Sequence, residues 1–297
     1  MPERQLHEGE VHIDGDLVRR LVSDQFPQLS DLDIEPAESM GTVNAIYRLG
    51  SDMYLRLPRL EAWARDLEKE LHWLPLLRPH LSLRVPEPIA KGHPAFGYPF
   101  AWAVYRWLEG STYSADRIGS ERDAAEGLGI FVSELRSFHS SVGPRSTRDA
   151  PLRLRDAQVQ DVMRTLDGEI DGPGVTEVWR ASLDAPEWDQ RPVWTHGDLL
   201  PPNLVVRDQR IDAVIDFGNT GLGDPAVDVI AAWTVFRGEG RETFRATLNV
   251  DDATWTRARG LALHQALLII PYYRDSNPAF ASMAKRTIDQ LLADGTA

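Results

Sequence analysis

The chain has 297 residues, of which 32 are basic and 45 acidic, for a formal net charge of −13. Its 42% hydrophobic and 26% charged residues are typical of a globular protein with one large domain or two modest ones. Because the chain has no cysteine, disulfides, thiol nucleophiles and cysteine-bound metals are excluded. The acidic balance argues against nonspecific binding to nucleic acid or anionic membranes and leaves room for a cationic ligand.

Nothing in the sequence indicates a targeting or membrane segment. Residues 1–16 are charged throughout and do not form a secretory signal. The apolar stretch LALHQALLII is interrupted by His264 and Gln265 and is too short to span a membrane. We expect a soluble, cytoplasmic protein without membrane or nucleic-acid partners, whose oligomeric state stays open.

The first part of the chain is predicted to be rich in strands. Asp14 can cap a helix whose apolar residues recur at three- and four-residue spacing. Two strands, over 44–49 and 53–57, flank a turn. A helix over 61–74 is then expected to end or kink at Pro75.

A second group of elements marks a change from strands to helices near residue 110. A short strand in VPEPIAKG precedes the apolar and aromatic stretch over 99–107, which is the clearest strand candidate. A long amphipathic helix over 128–138 and a loop over 143–151 follow. The remaining predictions are two helices within 154–188, strands over 203–206 and 213–216, and helices over roughly 225–236, 252–272 and 277–293.

The stretch THGDLLPPNLVVRDQRIDAVIDFGN, residues 195–219, carries the strongest chemical signal. Asp198 and Asn203 lie on a loop that two prolines keep irregular, and Asp216 is expected to end the next strand. Two carboxylates and a carboxamide oxygen are hard ligands that suit Mg²⁺, which completes its shell with waters and phosphates. A carboxylate that does not bind metal can accept a proton from a hydroxyl nucleophile.

This pattern, H-G-D-x-x-x-x-N followed by I-D-F-G, resembles the catalytic and metal-binding loops of protein-kinase-like phosphotransferases. With GLGDPAVDVIAAW after it, the chain is similar to the aminoglycoside phosphotransferase family, and YRLG, YLRLPR, VPEP and YRWLEG occur in the expected order. The resemblance implies an α+β, protein-kinase-like two-lobed fold. A small antiparallel-sheet N-lobe would span 1–104, an interlobe hinge 105–110, and a larger, mostly helical C-lobe 111–297.

The resemblance also implies roles for matching residues. Asp198 would be the catalytic base, and Asn203 and Asp216 would hold Mg²⁺ against the nucleotide phosphates. Three residues would support the site structurally: His196, Asp224 and Asp228. The plainer alternative is that HGD is a turn and IDFG a buried strand end.

The amino-terminal part departs from the kinase pattern at the phosphate-binding lysine. The matching residue in MYLRLPR is Arg56, which keeps the charge but differs from lysine in reach and shape. Its partner would be Glu70, with Glu68 as the near alternative. A salt bridge with no further role is the competing interpretation.

The other nucleotide contacts are predicted from two segments. The loop that would cover the phosphates has one glycine, Gly41, and could use the side chains of Thr42 and Asn44. Tyr105 and Trp107 fall in the expected hinge, where family members hold adenine through backbone hydrogen bonds. Plain core packing is the alternative for both aromatic residues.

The acceptor side is predicted to lie near the carboxyl terminus. Tyr272, Tyr273 and Asp275 could provide stacking and charge pairing for a cationic or glycosidic acceptor. Alternatively, the tyrosines are core residues at a helix end and Asp275 is a cap.

Other chemistries lack their motifs. No lysine is followed by Ser or Thr as a Walker A loop requires, and no serine has the G-x-S-x-G context of a nucleophile elbow. Neither H-E-x-x-H nor G-x-G-x-x-G occurs, so catalytic zinc and Rossmann sites are unsupported.

The sequence therefore predicts a small-molecule kinase that transfers the γ-phosphate of ATP or GTP to a hydroxyl of an antibiotic, an aminoglycoside first and a macrolide second. One alternative is a housekeeping kinase for an amino sugar, a nucleoside or an amino-alcohol. The other is a catalytically silent nucleotide-binding sensor of the same fold.

Overall fold

A computed structural model describes residues 9–37, 44–140 and 142–294. Strands dominate the amino-terminal part and helices the rest, so the expected α+β class is confirmed. The chain divides into two compact units. The first holds the described residues up to Ser111 together with Ala213–Gly218, and the second holds the remainder.

A five-stranded antiparallel sheet forms the centre of the first unit. Its strands are β1 (Ile34–Pro36), β2 (Asn44–Leu49), β3 (Met53–Pro58), β4 (Pro88–Gly92) and β5 (Trp102–Arg106), in the order β1-β2-β3-β5-β4. On the central strand, Arg56 lies opposite Ile46 of β2 and Ala103 of β5. A charged side chain thus projects from the middle of the sheet.

Helix α1 (Gly15–Gln25) begins as the sequence predicts. The Asp14 carboxylate accepts a hydrogen bond from the Leu17 backbone N–H at 2.8 Å, which satisfies one of the free donors of the first turn. The apolar face of α1 packs on the sheet, and the shared core includes Leu17, Val18, Leu21, Val22, Tyr47, Leu49, Leu55, Leu57 and Val104.

Helix α2 (Glu61–Leu77) runs past Pro75, so the helix does not end there, which was the first of the two predicted outcomes, and a kink at Pro75 stays a prediction. A proline removes one hydrogen bond to the preceding turn but leaves the next turn intact. The Arg78 backbone N–H still donates to the Leu74 carbonyl, and both Leu74 and Leu77 are buried. Packing therefore outweighs the local cost of the proline.

The second unit is mostly helical. Its helices are α3 (Glu121–Ser137), α4 (Asp156–Thr165), α5 (Gly172–Asp184), α6 (Ala226–Val229), α7 (Ala231–Thr234), α8 (Gly238–Leu248), α9 (Asp252–Tyr273) and α10 (Pro278–Ala293). Helix α9 is apolar on most sides because α4, α5, α6 and α10 pack around it. Its less buried stripe comprises Leu261, Gln265, Leu268 and Tyr272.

Two helical predictions differ from the structure. The single helix predicted over 225–236 is two short helices, α6 and α7, separated at Ile230. The sequence pattern does not predict α8, whose first turn contains Gly238 and Gly240. Tertiary packing against α3 offsets this weak local propensity.

Short strands frame the loop that carries the HGD motif. They are β6 (Ser111–Thr112), β7 (Val193–Thr195), β8 (Leu204–Arg207), β9 (Arg210–Val214) and β10 (Gly221–Gly223). Strands β7 and β10 pair antiparallel, with Thr195 opposite Gly221. Asp208 and Gln209 join β8 to β9 and both have positive φ, as a tight hairpin turn requires.

Within the described ranges, no helix combines the length and the apolar character that a membrane span needs.

Candidate active site

The HGD motif follows directly after β7 in the second unit. Gly197 has φ +87°, and a Cβ there would lie 2.7 Å from the backbone oxygen of Asn219. Only glycine fits this left-handed position at so close an approach. The glycine therefore lets the chain turn sharply and present the next residue, Asp198.

Asp228 on α6 holds this turn from behind. One carboxylate oxygen accepts from the His196 backbone N–H at 2.8 Å and the other from the Gly197 N–H at 2.9 Å. The side chain is completely buried, and burial raises the pKa of Asp228 above its ordinary value. The His196 ring is also buried, and its Nδ1 accepts from the Asp198 N–H at 3.2 Å.

The Asp198 carboxylate is engaged on both oxygens by residues of the same unit. Oδ2 accepts from Asn203 Nδ2 at 3.0 Å, and Oδ1 accepts from Gln265 Nε2 at 2.9 Å. An Arg148 guanidinium nitrogen lies 3.7 Å from Oδ1. A carboxylate held in this way has a defined orientation, as a base for a bound hydroxyl requires.

Sequence reasoning did not identify Gln265 or Arg148 as neighbours of Asp198. A signal for Gln265 was present, because it interrupts an otherwise apolar helix and a polar residue there needs a hydrogen-bonding partner. Arg148 lies in an irregular loop after α3, where no periodicity indicates which way a side chain points.

The residues expected to bind Mg²⁺ fit that ion chemically. Both hydrogens of Asn203 Nδ2 are used, one by the Asp198 carbonyl at 2.8 Å and one by its carboxylate. The amide oxygen of Asn203 therefore points away from Asp198 and is not used by these two hydrogen bonds. Asp216, in the first unit, follows β9 with φ +67°, and its carboxylate is 38% exposed. Oxygen donors of these two types are what Mg²⁺ takes from proteins.

No group of three or more metal-ligating side chains occurs in the part of the chain that the structure describes. Mg²⁺ needs no such group, because one or two carboxylate or amide ligands suffice when waters and substrate phosphates complete the shell.

Arg56 lies among oxygen acceptors of the first unit. Its guanidinium donates to Glu70 at 2.7 Å and to Asp216 at 3.3 Å. With the Asn44 amide oxygen turned toward it, Asn44 accepts from Arg56 Nε at 3.1 Å. Burial opposes the charge on Arg56, but the two carboxylates outweigh it and raise the pKa of the guanidinium.

The structure distinguishes the two candidate partners of Arg56. Glu70 faces the sheet and is fully buried, whereas Glu68 pairs with Lys91 at 3.1 Å near the surface. Burial raises the pKa of Glu70, against the lowering effect of the nearby arginine. Tyr105 Oη adds a hydrogen bond to Glu70 at 3.4 Å.

The predicted hinge residues have different environments. The Tyr105 ring is buried and stacks on Tyr54, with ring centroids 5.2 Å apart. Trp107 is partly exposed, and its backbone N–H donates to the Asp52 carbonyl at 2.8 Å. Arg48 lies over its indole ring at 4.0 Å. The predicted contacts of Thr42, and its neighbour Gly41, lie outside the described residues.

Unlike Asp228, Asp224 makes its hydrogen bonds to other parts of the second unit and not to the HGD loop. Its carboxylate forms a bidentate pair with Arg257 on α9, at 2.7 and 3.0 Å. One of its oxygens also accepts from the Ala226 N–H at 2.8 Å, at the start of α6. Asp224 therefore connects α6 with α9.

The predicted acceptor residues lie at the end of α9. Tyr272 is 57% exposed and so is not a core residue, and Tyr273 packs edge-on against Phe280. Asp275 is exposed, and the cap of α10 is Asn277, which accepts from the Phe280 N–H. The structure therefore contradicts the alternative in which Tyr272 is a core residue and Asp275 is a helix cap.

Comparison with known proteins identifies the family of this chain. The phosphotransferase enzyme family matches residues 35–261. An aminoglycoside 3'-phosphotransferase from Escherichia coli is 28% identical over 202 residues, which cover 64% of this chain and 72% of that protein.

Solved structures establish the fold. The GDP and kanamycin complex of APH(2")-IIia superposes with a TM-score of 0.70 at 19% identity, covering 93% of this chain and 98% of that one. The macrolide 2'-phosphotransferase MphH from Brachybacterium faecium gives 0.61 at 22% identity, covering 92% and 97%. The predicted kinase-like fold class is confirmed.

Proposed function

The chain belongs to the phosphotransferase enzyme family and is a small-molecule kinase that transfers phosphate to a hydroxyl group, and from this premise we propose its donor, acceptor and site residues. The donor is ATP or GTP, and the acceptor is an antibiotic, an aminoglycoside first and a macrolide second. Asp198 is the base that orients and deprotonates the acceptor hydroxyl. The geometry of the Asp198 carboxylate, fixed on both oxygens, is the observation that carries this proposal.

The nucleotide is proposed to bind through residues of the amino-terminal part. Arg56, braced by Glu70 and Asn44, faces the phosphates, with Thr42 in the covering loop. Backbone groups near Tyr105 and Trp107 hold the base. Support for a nucleoside triphosphate donor comes from the relative solved with GDP.

Mg²⁺ would be held by Asn203 and Asp216, and when bound it offsets the negative charge of the phosphates. Asn203 has a second task, because its amide also holds Asp198. His196 and Asp228 keep the loop in shape, and Asp224 holds α6 in place. Most of the rate enhancement is then positioning and electrostatics, since phosphoryl transfer requires little covalent help from a protein.

The acceptor assignment rests on relatives and on charge. The Escherichia coli relative is an aminoglycoside 3'-phosphotransferase, and one similar structure contains kanamycin. The net charge of −13 favours a cationic acceptor over an anionic one. Tyr272, Tyr273 and Asp275 are the proposed acceptor contacts.

The test is nucleoside diphosphate release by the purified protein with Mg²⁺, with ATP and GTP in turn and a panel of aminoglycosides, macrolides and amino sugars. Asp198→Ala should lower acceptor-dependent turnover by roughly two to four powers of ten. The control is Asp161→Asn, because Asp161 is an exposed residue on α4 whose carboxylate pairs with Arg164 at 3.0 Å. An Asp198→Ala enzyme as fast as the wild type would refute the assignment of the base.

A silent nucleotide sensor is the second candidate, and the contact of Arg56 with Asp216 favours it. An arginine that pairs with the carboxylate meant for Mg²⁺ competes with the ion. Thermal-shift titration separates the two functions. For a kinase, nucleotide should raise the melting temperature more with Mg²⁺ than without it. An equal rise with and without Mg²⁺ would indicate the sensor.

A further inference from the structure

A cavity of about 400 Å³ lies within the second unit. Its wall is formed by the loop after α3, the end of α5 and the loop that follows it, the start of α6, and the first half of α9. Small-molecule sites in proteins have volumes of about 300–1,000 Å³. None of the residues proposed above to bind nucleotide, Mg²⁺ or acceptor lines this cavity. It is large enough to take a small molecule or part of a larger one.

Two residues of the wall lead to the proposed base. Arg148 lines the cavity, and its guanidinium lies 3.7 Å from Asp198 Oδ1. Leu261 also lines it, and Gln265 follows one helical turn later on α9, about 6 Å along the axis. Gln265 donates to Asp198 Oδ1 at 2.9 Å. The cavity therefore borders the base from the loop after α3 and from α9.

Most charges in the wall cancel in pairs. Three arginines of the wall each pair with a carboxylate of the wall: Arg145 with Asp149, Arg153 with Glu187, and Arg257 with Asp224. Arg148 and Asp189 differ from these. Toward the residues that the structure describes, the Arg148 guanidinium donates no hydrogen bond and the Asp189 carboxylate accepts none. One cation beside the base and one carboxylate of the wall therefore remain for a ligand.

The loop that carries Arg148 is fixed by hydrogen bonds and not by regular structure. The Ser146 backbone N–H donates to the Leu222 carbonyl of β10 at 3.1 Å. The Arg148 carbonyl accepts from Arg155 Nη2 at 2.6 Å. Arg148 therefore has a defined place beside Asp198, as a residue that determines specificity requires.

We propose that this cavity is a subsite for an amino sugar unit of the acceptor, in which Arg148 donates to one of its oxygens and Asp189 pairs with one of its amines. The inference rests on the proposed function of Asp198, whose partner is the reacting hydroxyl. That hydroxyl lies about 2.6–3.2 Å from the carboxylate. Because only 3.7 Å separates the guanidinium from Oδ1, an oxygen on the neighbouring carbon comes within hydrogen-bonding reach of Arg148.

The two unpaired charges determine which groups of the acceptor fit. A guanidinium donates strong, charge-assisted hydrogen bonds to hydroxyl and ether oxygens, and it repels an ammonium group. Amines of the acceptor therefore lie away from Arg148, toward Asp189. Amino sugars fit because they carry both kinds of group on one ring. Tyr272, about two turns beyond Gln265 on α9, stays the proposed contact for the rest of the acceptor.

The test measures KM for the acceptor and KM for the nucleotide separately, with the purified full-length enzyme. The acceptor is the aminoglycoside of the panel with the highest wild-type kcat/KM. Arg148→Met removes the donors and the charge. Leu261→Trp narrows the cavity without changing its charge, and it serves if Arg148→Met does not fold. Arg153→Met is the matched control, because Arg153 lines the same cavity but is paired with Glu187.

The expected result for Arg148→Met is a rise of about ten- to a hundredfold in the acceptor KM, the range that a lost hydrogen bond to a charged group gives. Leu261→Trp should also raise it, because the indole takes space that the acceptor needs. Asp189→Asn should raise it by about two- to fivefold at low salt and less at high salt, as an exposed ion pair does. The nucleotide KM should stay at the wild-type value in all three, and Arg153→Met should leave both constants unchanged.

A wild-type acceptor KM in either Arg148→Met or Leu261→Trp would overturn the proposal. So would the same rise in Arg153→Met, or an equal rise in the nucleotide KM, which would indicate general damage to the site. If Asp198→Ala abolishes transfer while these outcomes occur, the proposed function stands and only the subsite is refuted. If the wild type transfers phosphate to no acceptor of the panel, the proposed function itself has failed.

Discussion

The guanidinium of Arg56 and the carboxylate of Glu70 form a buried ion pair, with 2.7 Å between Nη1 and Oε2. Their side chains are 8% and 0% exposed, so both charges have lost most of their hydration. The second oxygen, Glu70 Oε1, is buried without a hydrogen-bond partner. The pair therefore depends on mutual attraction to offset desolvation.

Removing only one member of this pair should be costly. Arg56→Met should lower the free energy of unfolding by about 3–5 kcal/mol, because a buried carboxylate is left unpaired. The double variant Arg56→Met with Glu70→Leu should recover most of that loss. Urea unfolding of the wild type, Arg56→Met, Glu70→Leu and the double variant completes a double-mutant cycle. Additive losses would contradict the coupling.

Gly197→Ala should destabilise the HGD loop because of its positive φ and the close approach to Asn219. We expect a loss of about 1–3 kcal/mol in the free energy of unfolding, together with lower transfer activity. Gly127→Ala is the matched control, since Gly127 lies in helix α3 and a Cβ there meets nothing within 4 Å. The control should be neutral or slightly stabilising. Equal effects of the two substitutions would rule out the backbone argument.

Asp228→Asn should weaken the same loop from the other side. The carboxylate accepts from two backbone N–H groups, and an amide can accept from only one while its NH₂ group faces the other. The expected loss is about 2–3 kcal/mol of stability, with a fall in kcat that exceeds any change in nucleotide affinity. Chemical denaturation and steady-state kinetics provide both readouts. Wild-type kinetics would mean that the loop keeps its shape without Asp228.

His264 should make the stability depend on pH. It is buried on α9, with Arg155 3.2 Å from Nδ1 and Gln158 3.0 Å from Nε2. Burial, helped by the charges of Arg155 and Arg148, lowers the pKa of His264 from 6.5 to about 3. Arg155 can only donate, so the neutral ring accepts at Nδ1 and carries its proton on Nε2.

A lowered histidine pKa gives stability that is present above the unfolded value of 6.5 and is lost as the pH falls toward 3. From 6.5 to about pH 5 the wild type should therefore lose about 1.5 kcal/mol more than His264→Gln. Urea midpoints measured across that range test the difference. Parallel pH curves for the two proteins would show that His264 is not the group responsible.

Local features were predictable from sequence spacing. Asp14 caps α1 as expected, since a cap and an apolar face involve residues three or four apart. The order of Asp198, Asn203 and Asp216 in one short stretch was enough to indicate phosphotransferase chemistry. Each of these patterns depends on residues close together in the chain.

Contacts between residues that are far apart in the chain could not be predicted from spacing. Glu68 and Glu70 are two positions apart on one helix, so they face different sides, and only packing on the sheet decides which meets Arg56. Helix α2 continues past Pro75 because Leu74 and Leu77 are buried, which no local rule predicts. The pairing of Asp198 with Gln265 joins residues 67 positions apart.

By itself, the sequence determined the family and its phosphotransferase chemistry, because the motifs that mark the family are contiguous and their spacing is visible in the chain. Only the tertiary structure decided which side chains surround those residues, since burial and side-chain direction follow from how helices and sheet pack. The environment of Asp198 shows the division: its identity is local, and the residues that hold its two oxygens come from its own loop and from α9.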